Sequence, residues 1–210
     1  QYCTLVASDA GAEERAAMIS ALTTNVTKFF REAHHFEHLK TKLLPRLIQS
    51  ARKGNPVRIW SAGCSSGQEP YSIALTLLSL LPDARSFDIK ILATDINSNV
   101  LATARAGQYP ADVVEDVPRA LRDHWMDPVS STGGKQYELD DAAKGLISFK
   151  ELNLMQRWPM SGPFDAIFCR NVVIYFDEST QFKIWTRMNE LLASGSFLYL
   201  GHSERLNGPA

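Results

Sequence analysis

The sequence predicts an α/β fold built on a doubly wound parallel sheet, and three stretches carry that reading. Residues 57–71 (VRIWSAGCSSGQEPY) run from a strand of buried-type residues through a small-residue turn straight into a helix, continued by Ser72-Ile73-Ala74-Leu75 at helical spacing. Residues 88–94 (DIKILAT) form a second strand that leads through Asp95-Ile96-Asn97 into a helix containing Val100, Leu101 and Ala104. Residues 146–152 (LISFKEL) and 164–169 (FDAIFC) are two more strands, ending at Asn153-Leu154 and at Arg170-Asn171.

Ahead of the sheet, residues 13–21 and 36–51 read as helices flanking the segment TTNVTKFFRE. By itself that segment reads as a Thr-capped helix with an aromatic pair. The first turn after β-structure holds Gly63 and Gly67, which lack a Cβ, so the backbone turns tightly and a ligand can approach the free amides of the helix start. Phosphate is a poor fit there. No Gly-Lys-Ser/Thr follows, and Gly63-x-x-x-Gly67 is not the dinucleotide spacing Gly-x-Gly-x-x-Gly. Glu69, just before Pro70, would repel a pyrophosphate but suits an ammonium group; it also reads as a plain helix-start carboxylate.

Asp95 stands where a carboxylate grips a ribose diol, or else caps the helix that begins near Ser98. Ligands of open parallel sheets bind beyond the carboxyl ends of strands, so Gly63, Asp95, Asn153 and Asn171 are expected to converge. Asn153 can read an adenine edge, although each Asn can equally be a turn residue. Between the second helix and Asn153 the pattern breaks. Residues 110–125 look like a turn and short helix, 127–135 are Ser/Gly-rich, and 136–139 are strand-like, which predicts a small antiparallel flap inserted over about residues 110–146. A last strand is expected over 195–200.

Composition bounds the function. A chain of 210 residues with 45% hydrophobic content can bury one sizeable α/β core. With 22 basic and 23 acidic residues it has no global attraction to nucleic acid. Cys3, Cys64 and Cys169 cannot form a disulfide framework, which predicts a reducing cytoplasm, and Cys64 reads as a small packed thiol rather than a nucleophile. No apolar run approaches membrane-spanning length and no signal peptide begins the chain, so a soluble protein is expected. His34, His35 and His38 suggest a metal cluster, but neighbouring histidines on a helix point different ways and no zinc-type ligand set accompanies them, so no metal is expected.

Five phrases in order, TTNVTKFFREAHHF (23–36), WSAGCSSGQEPYSIA (60–74), ATDIN (93–97), FDAIFCRNVVIYF (164–176) and GHSE (201–204), closely resemble bacterial chemotaxis receptor methyltransferases of the CheR type. The resemblance covers most of the chain. It implies a Rossmann-like class I methyltransferase sheet, with remnant N-terminal helices and a linker over residues 1–35 and an S-adenosylmethionine-binding catalytic domain over 36–210. It implies methyl transfer from S-adenosylmethionine to glutamate side chains on the cytoplasmic helical bundle of chemoreceptors, by a cytoplasmic monomer that reaches the membrane only through its partner. Ala62 and Gly63 would line the cofactor, Glu69 would face its methionyl ammonium, Asp95 its ribose, and Asn153-Leu154 its adenine. Asn25, Thr27 and Arg31 would lie over it, with Arg170 and Asn171 beside it. Arg31 and Tyr175 would sit nearest the reacting methyl, although an aromatic in VVIYF also reads as core.

The family usually begins with an all-helical, partly basic domain, of which only the last portion is expected before Thr23, and it usually continues past GHSE to a final antiparallel strand. Some members dock a receptor peptide on the flap with a glycine-rich turn and arginines; Ser130-Ser131-Thr132-Gly133-Gly134 lacks arginine, which predicts independence from that peptide. The reaction itself needs no general base, because a carboxylate is already ionised near neutral pH; it needs desolvation and alignment. Two other classes compete. One is a catalytically silent S-adenosylmethionine-binding signalling module, against which Arg31 and Tyr175 argue. The other is a nicotinamide oxidoreductase, which would place its acid about 20 residues after the first glycine, far short of Asp95.

Overall fold

Val57–Ala62 (β1), Ile89–Asp95 (β2), Ile147–Glu151 (β6), Phe164–Cys169 (β7) and Leu192–Leu200 (β8) form one five-stranded sheet in the order β6-β2-β1-β7-β8, and every neighbouring pair is parallel. The computed structural model describes residues 25–131 and 134–205 and, ahead of them, residues 11, 14, 17, 18 and 21. Most of the helix expected over 13–21, together with Cys3, Thr23, Thr24, Thr132, Gly133 and residues 206–210, lies outside the described residues.

The strand order is that of a doubly wound sheet. From β1 the chain steps outward through β2 to β6, then returns across the sheet to β7 and β8. The reversal falls between β1 and β7, where connections leave in opposite directions and a crevice opens at the strand ends. Helices Gln68–Leu78 (α3) and Ser98–Ala106 (α4) follow β1 and β2, and Glu178–Leu191 (α7) leads into β8. Helices His34–His38 (α1) and Leu44–Arg52 (α2) are joined by a π-helical turn, Leu39–Leu43, and precede the sheet.

Alternation of side chains along the strands divides the core. Val57 and Ile59 of β1 and Ala166 and Phe168 of β7 face one layer with Leu39, Leu43, Ile73 and Leu77. Trp60, Ala62, Ile167 and Cys169 face the other, with Ile184, Trp185 and Met188 of α7. Helix α3 is buried along nearly its whole length, which matches its almost uniformly apolar and small sequence.

The inserted flap is a three-stranded antiparallel sheet of Gln108–Pro110 (β3), Met126–Ser131 (β4) and Gly134–Leu139 (β5), in the order β3-β5-β4. Helix Arg119–Trp125 (α5) leads into β4, and Asp141–Lys144 (α6) leads back towards β6. The Ser/Gly-rich stretch 127–135 is mostly strand: Asp127 through Ser131 pair with residues 134–138. Pro128 is tolerated because β4 is an edge strand.

Candidate active site

The turn after β1 is folded against the end of β2 rather than left open. The amides of Gly63 and Cys64 donate to Thr94 O at 2.8 and 2.9 Å, that of Ser65 to Asp95 Oδ2 at 2.8 Å, and that of Gly67 to Cys64 O at 3.0 Å. Those amides are therefore spent inside the protein and do not form the ligand-facing cradle that the glycines suggest. The glycines are needed for packing instead. Gly63 has φ +76° and a Cβ there would meet Val172 Cγ2 at 2.3 Å; Gly67 has φ +97° and a Cβ would meet Ala104 Cβ at 2.8 Å and Tyr109 Oη at 2.9 Å.

A cleft of about 370 Å³ opens over this turn, at the switch point of the sheet. From the first strand-turn-helix unit it is lined by Gly63, Ser65 and Glu69, and from the second by Asp95 and Ile96. The end of β6 contributes Leu152, Asn153, Leu154 and Met155, and the end of β7 contributes Arg170, Asn171, Val172, Tyr175 and Phe176. Asn25, Val26, Thr27, Lys28 and Arg31 close it from the segment before α1. Every site residue expected from sequence lines this cleft except Ala62. Its methyl is fully buried in the core layer beside Trp60 and Cys169, because the alternation of β1 turns it away from the crevice.

Residues 25–32 form a strap, not a helix; helix begins only at His34. Phe30 and Glu32 hold φ of 51° and 57°, in the left-handed region that non-glycine residues enter only under outside constraint. The constraints are visible. Phe29 is fully buried with its ring edge-on to Tyr109 at 5.1 Å, the Phe30 amide donates to Ser72 Oγ at 2.9 Å, and Ser65 Oγ donates to Asn25 O at 3.1 Å. Arg31 Nη1 folds back onto Val26 O at 3.1 Å, and Arg170 Nη2 donates to Arg31 O.

Arg170 is the electrostatic centre of the cleft wall. Its side chain is 2% exposed, with Glu69 Oε2 3.1 Å from Nη1 and Glu32 Oε2 3.4 Å from Nη2. Glu69 also accepts from Ser61 Oγ at 2.7 Å. Burial raises the Glu69 carboxyl above its ordinary range, and the Arg170 charge and the Ser61 bond only partly offset this. Burial acts in the same sense on Glu32, but there the His202 hydrogen bonds and the Arg170 and His35 charges outweigh it and bring the group down to about 2. Of the two carboxylates only Glu69 lines the cleft; Glu32 shares Arg170 with it and accepts from His202 Nδ1 at 2.9 Å.

Asp95 is not the cap of α4. Asn97 fills that role, accepting from the Asn99 amide at 3.0 Å, while Asp95 accepts from the Ser65 amide at 2.8 Å and the Asn97 amide at 3.0 Å. Burial raises the Asp95 carboxyl, against these backbone bonds. Asn153 makes the turn contact that its type allows, accepting from the Met155 amide through Oδ1 at 2.9 Å; this leaves its amide nitrogen as the group able to donate into the cleft. Asn171 holds φ 59°, and its buried Oδ1 has no hydrogen-bond partner among the described residues. Tyr175 is 65% exposed at the rim, so it is not a core aromatic.

Cys64 and Cys169 are buried free thiols with pKa values driven well above the ordinary range by burial, which excludes a thiolate nucleophile. His34 and His35 do not point apart, since their ring centroids are 4.1 Å apart, and their ligating atoms and that of Glu32 lie within 4.8 Å of one another. The Arg170 guanidinium already answers the Glu32 carboxylate, so a fixed cation stands beside that cluster. Glu32, Ser65, Val172, Phe176 and Glu204 were not anticipated as site-forming residues. The only local signal for them is their place within the quoted phrases.

The cleft's chemistry suits S-adenosylmethionine. It combines a carboxylate at the end of β2, the Glu69 carboxyl in the wall, an Asn171 acceptor with no hydrogen-bond partner among the described residues, and an apolar end built by Ile96, Leu152, Leu154 and Met155.

Comparison with known proteins agrees. Residues 25–210 match the family described as CheR methyltransferase, SAM binding domain. The chain is 58% identical over 210 residues to a probable chemotaxis protein methyltransferase of Rhizobium etli, covering 100% of this chain and 78% of that one. It is 40% identical over 209 residues to the chemotaxis protein methyltransferase of Escherichia coli, covering 98% and 70%. Among solved structures, the DszA carbon methyltransferase shares the fold with a TM-score of 0.51 at 18% identity, over 80% of this chain and 35% of that one. Among the described residues no helix is long and apolar enough to cross a membrane. The chain therefore belongs to the CheR methyltransferase family, and is an S-adenosylmethionine-dependent methyltransferase of chemotaxis.

Proposed function

We propose that this enzyme methylates glutamate side-chain carboxylates on the cytoplasmic helical bundle of chemoreceptors, giving methyl esters. The observation that carries the reading is the convergence of Arg31, Glu69, Asp95, Asn153, Asn171 and Tyr175, from separate strand ends and the strap, on one cleft. When bound, S-adenosylmethionine supplies an electrophilic methyl whose sulfur accepts the bonding electron pair as the acceptor oxygen attacks.

The chain's own residues bind and align. Asp95, held in place by the Ser65 and Asn97 amides, keeps lone pairs on both oxygens for a pair of ribose hydroxyls. Glu69, backed by Ser61 and Arg170, presents negative charge to an ammonium. Asn153 would donate to an adenine edge with Leu154 as its apolar neighbour, and Asn25 and Thr27, on the strap, would close over the cofactor. Asn171 adds a polar contact beside it.

Arg31 and Tyr175 stand nearest the acceptor. Arg31 shares its guanidinium with Val26 O, so it steers the incoming carboxylate at one edge rather than clamping it. That is the useful strength: a tight bidentate pair would stabilise the ground state and blunt the nucleophile. The exposed ring of Tyr175, with Val26 and Met155 at the rim, excludes water from the acceptor once it docks.

Incubation with methyl-labelled S-adenosylmethionine and chemoreceptor cytoplasmic domains should give label that mild alkali releases as volatile methanol. Label that survives alkali would remove the carboxylate assignment and leave the cofactor assignment standing. No transfer at all would favour a cofactor-binding signalling role.

A further inference from the structure

Tyr175 reaches the cleft without a side-chain partner: among the described residues it makes no hydrogen bond or ring contact, and its ring is mostly exposed. Its place is set by its backbone, a single 3₁₀ turn, Val173–Tyr175. The start of that turn is gripped by a residue from the far end of the chain. Glu204 Oε2 accepts from the Asn171 amide at 2.8 Å and the Gly201 amide at 2.7 Å, and Oε1 accepts from the Val172 amide at 2.9 Å and the Val173 amide at 3.1 Å.

Three consecutive amides converging on one carboxylate make an anion nest, and the left-handed φ of 59° at Asn171 is what turns its amide inward with the others. The approach is close. A Cβ on Gly201 would meet Asn171 Nδ2 at 2.8 Å and Asn171 N at 3.0 Å, so the strand ends of β7 and β8 are locked together at this point. Val172 is pressed onto Gly63 by the same loop. Val173 in the core and the bond from Gln181 Nε2 to Phe176 O hold the turn's other side.

We infer that Glu204 is a positioning residue for methyl transfer, acting through the backbone of residues 171–173 to hold Tyr175 at the acceptor side of the cleft. The inference rests on the reading of Tyr175 given above. A carboxylate is required because each oxygen must accept twice. The amide of a glutamine, equal in size, would set an N–H₂ against two N–H donors.

The test is a double-mutant cycle read on the single-turnover rate with receptor cytoplasmic domains. Glu204→Gln, melting cooperatively, should slow transfer by ~30-fold or more while S-adenosylhomocysteine affinity changes by less than about 5-fold, because Glu69, Asp95 and Asn153 keep their own bonds and only the Asn171 contact is disturbed. In a Tyr175→Ala background the same substitution should cost less than about 3-fold. Equal losses in the two backgrounds, or a rate unchanged by Tyr175→Ala alone, would overturn the inference. If Glu204→Gln does not fold, Glu204→Asp, which keeps the charge but falls a methylene short, goes through the same cycle. A wild-type protein that transfers nothing would sink the receptor reading instead; fluorine NMR of 3-fluorotyrosine at position 175 then decides. Glu204→Gln should broaden or shift that resonance, and an unchanged signal overturns the inference without reference to any acceptor.

Discussion

Glu69 and Arg170 lie 101 residues apart in sequence, and their side chains meet at 3.1 Å in the wall of the cleft, one from the first turn of α3 and the other from the end of β7. The pair closes the crevice between the two halves of the sheet and sets its charge.

Because Glu32 and Glu69 both lean on Arg170, replacing it by alanine leaves two poorly solvated carboxylates without the cation they share. Arg170→Ala should lower stability by ~3 kcal/mol, the scale seen when one partner of a buried ion pair is removed. A urea midpoint that falls with an unchanged slope would report this. A loss below about 1 kcal/mol would mean that water reaches both carboxylates.

Asp95 and Asn97 separate binding from capping. Asp95→Ala should weaken S-adenosylhomocysteine by ~1.5 to 3 kcal/mol in calorimetry, the cost of lost hydrogen bonds to a charged acceptor. Asn97→Ala should cost ~1 kcal/mol of stability through the lost cap of α4 and leave the affinity where it was. The reverse pattern would move the ribose contact away from Asp95.

Stability should fall on acidification in two overlapping stages. Burial, with the nearby Arg170 charge, lowers His35 from 6.5 to about 4, so the folded protein binds fewer protons there than the unfolded chain; its contribution is complete above about 6.5 and is lost as pH falls towards 4. Glu32, lowered from 4.5 to about 2, contributes above its ordinary value and loses that contribution as pH falls from 4.5 towards 2. Thermal melts across this range should show a smaller drop between pH 6.5 and 4 in His35→Gln, which cannot titrate. An identical profile in the variant would assign that stage to other groups.

Much of the sheet was legible because its signals are local. The buried-type runs at β1 and β7 coincide with the strands found, Val57–Ala62 and Phe164–Cys169, and the turn residues after each strand do mark one crevice. What was misread depends on distant contacts. The strap looks helical from residue types alone, but burial of Phe29 against Tyr109 and the grip of Arg170 on Arg31 O hold it out of a helix. Strand β4 has no local strand signal, because Ser, Pro and the adjoining Gly weaken it and its pairing with β5 supplies what is missing. Helix α7, with its Asp177 cap, was not separately anticipated.

The sequence by itself determined the central strands of the sheet, their parallel arrangement, and the kinds of residue that end each strand, since apolar periodicity and turn chemistry act over a few neighbours. It also carried the family resemblance in five ordered phrases. Only the tertiary structure decided how those residues pair: that the glycines make room for Val172, Ala104 and Tyr109, that the turn amides are consumed by Thr94 and Asp95, and that Ala62 faces the core. It alone joined Glu69 to Arg170 and Glu204 to residues 171–173. The reason is physical. A buried charge or amide takes whichever complementary group the packed core delivers, and that choice spans too much chain for any local pattern to record.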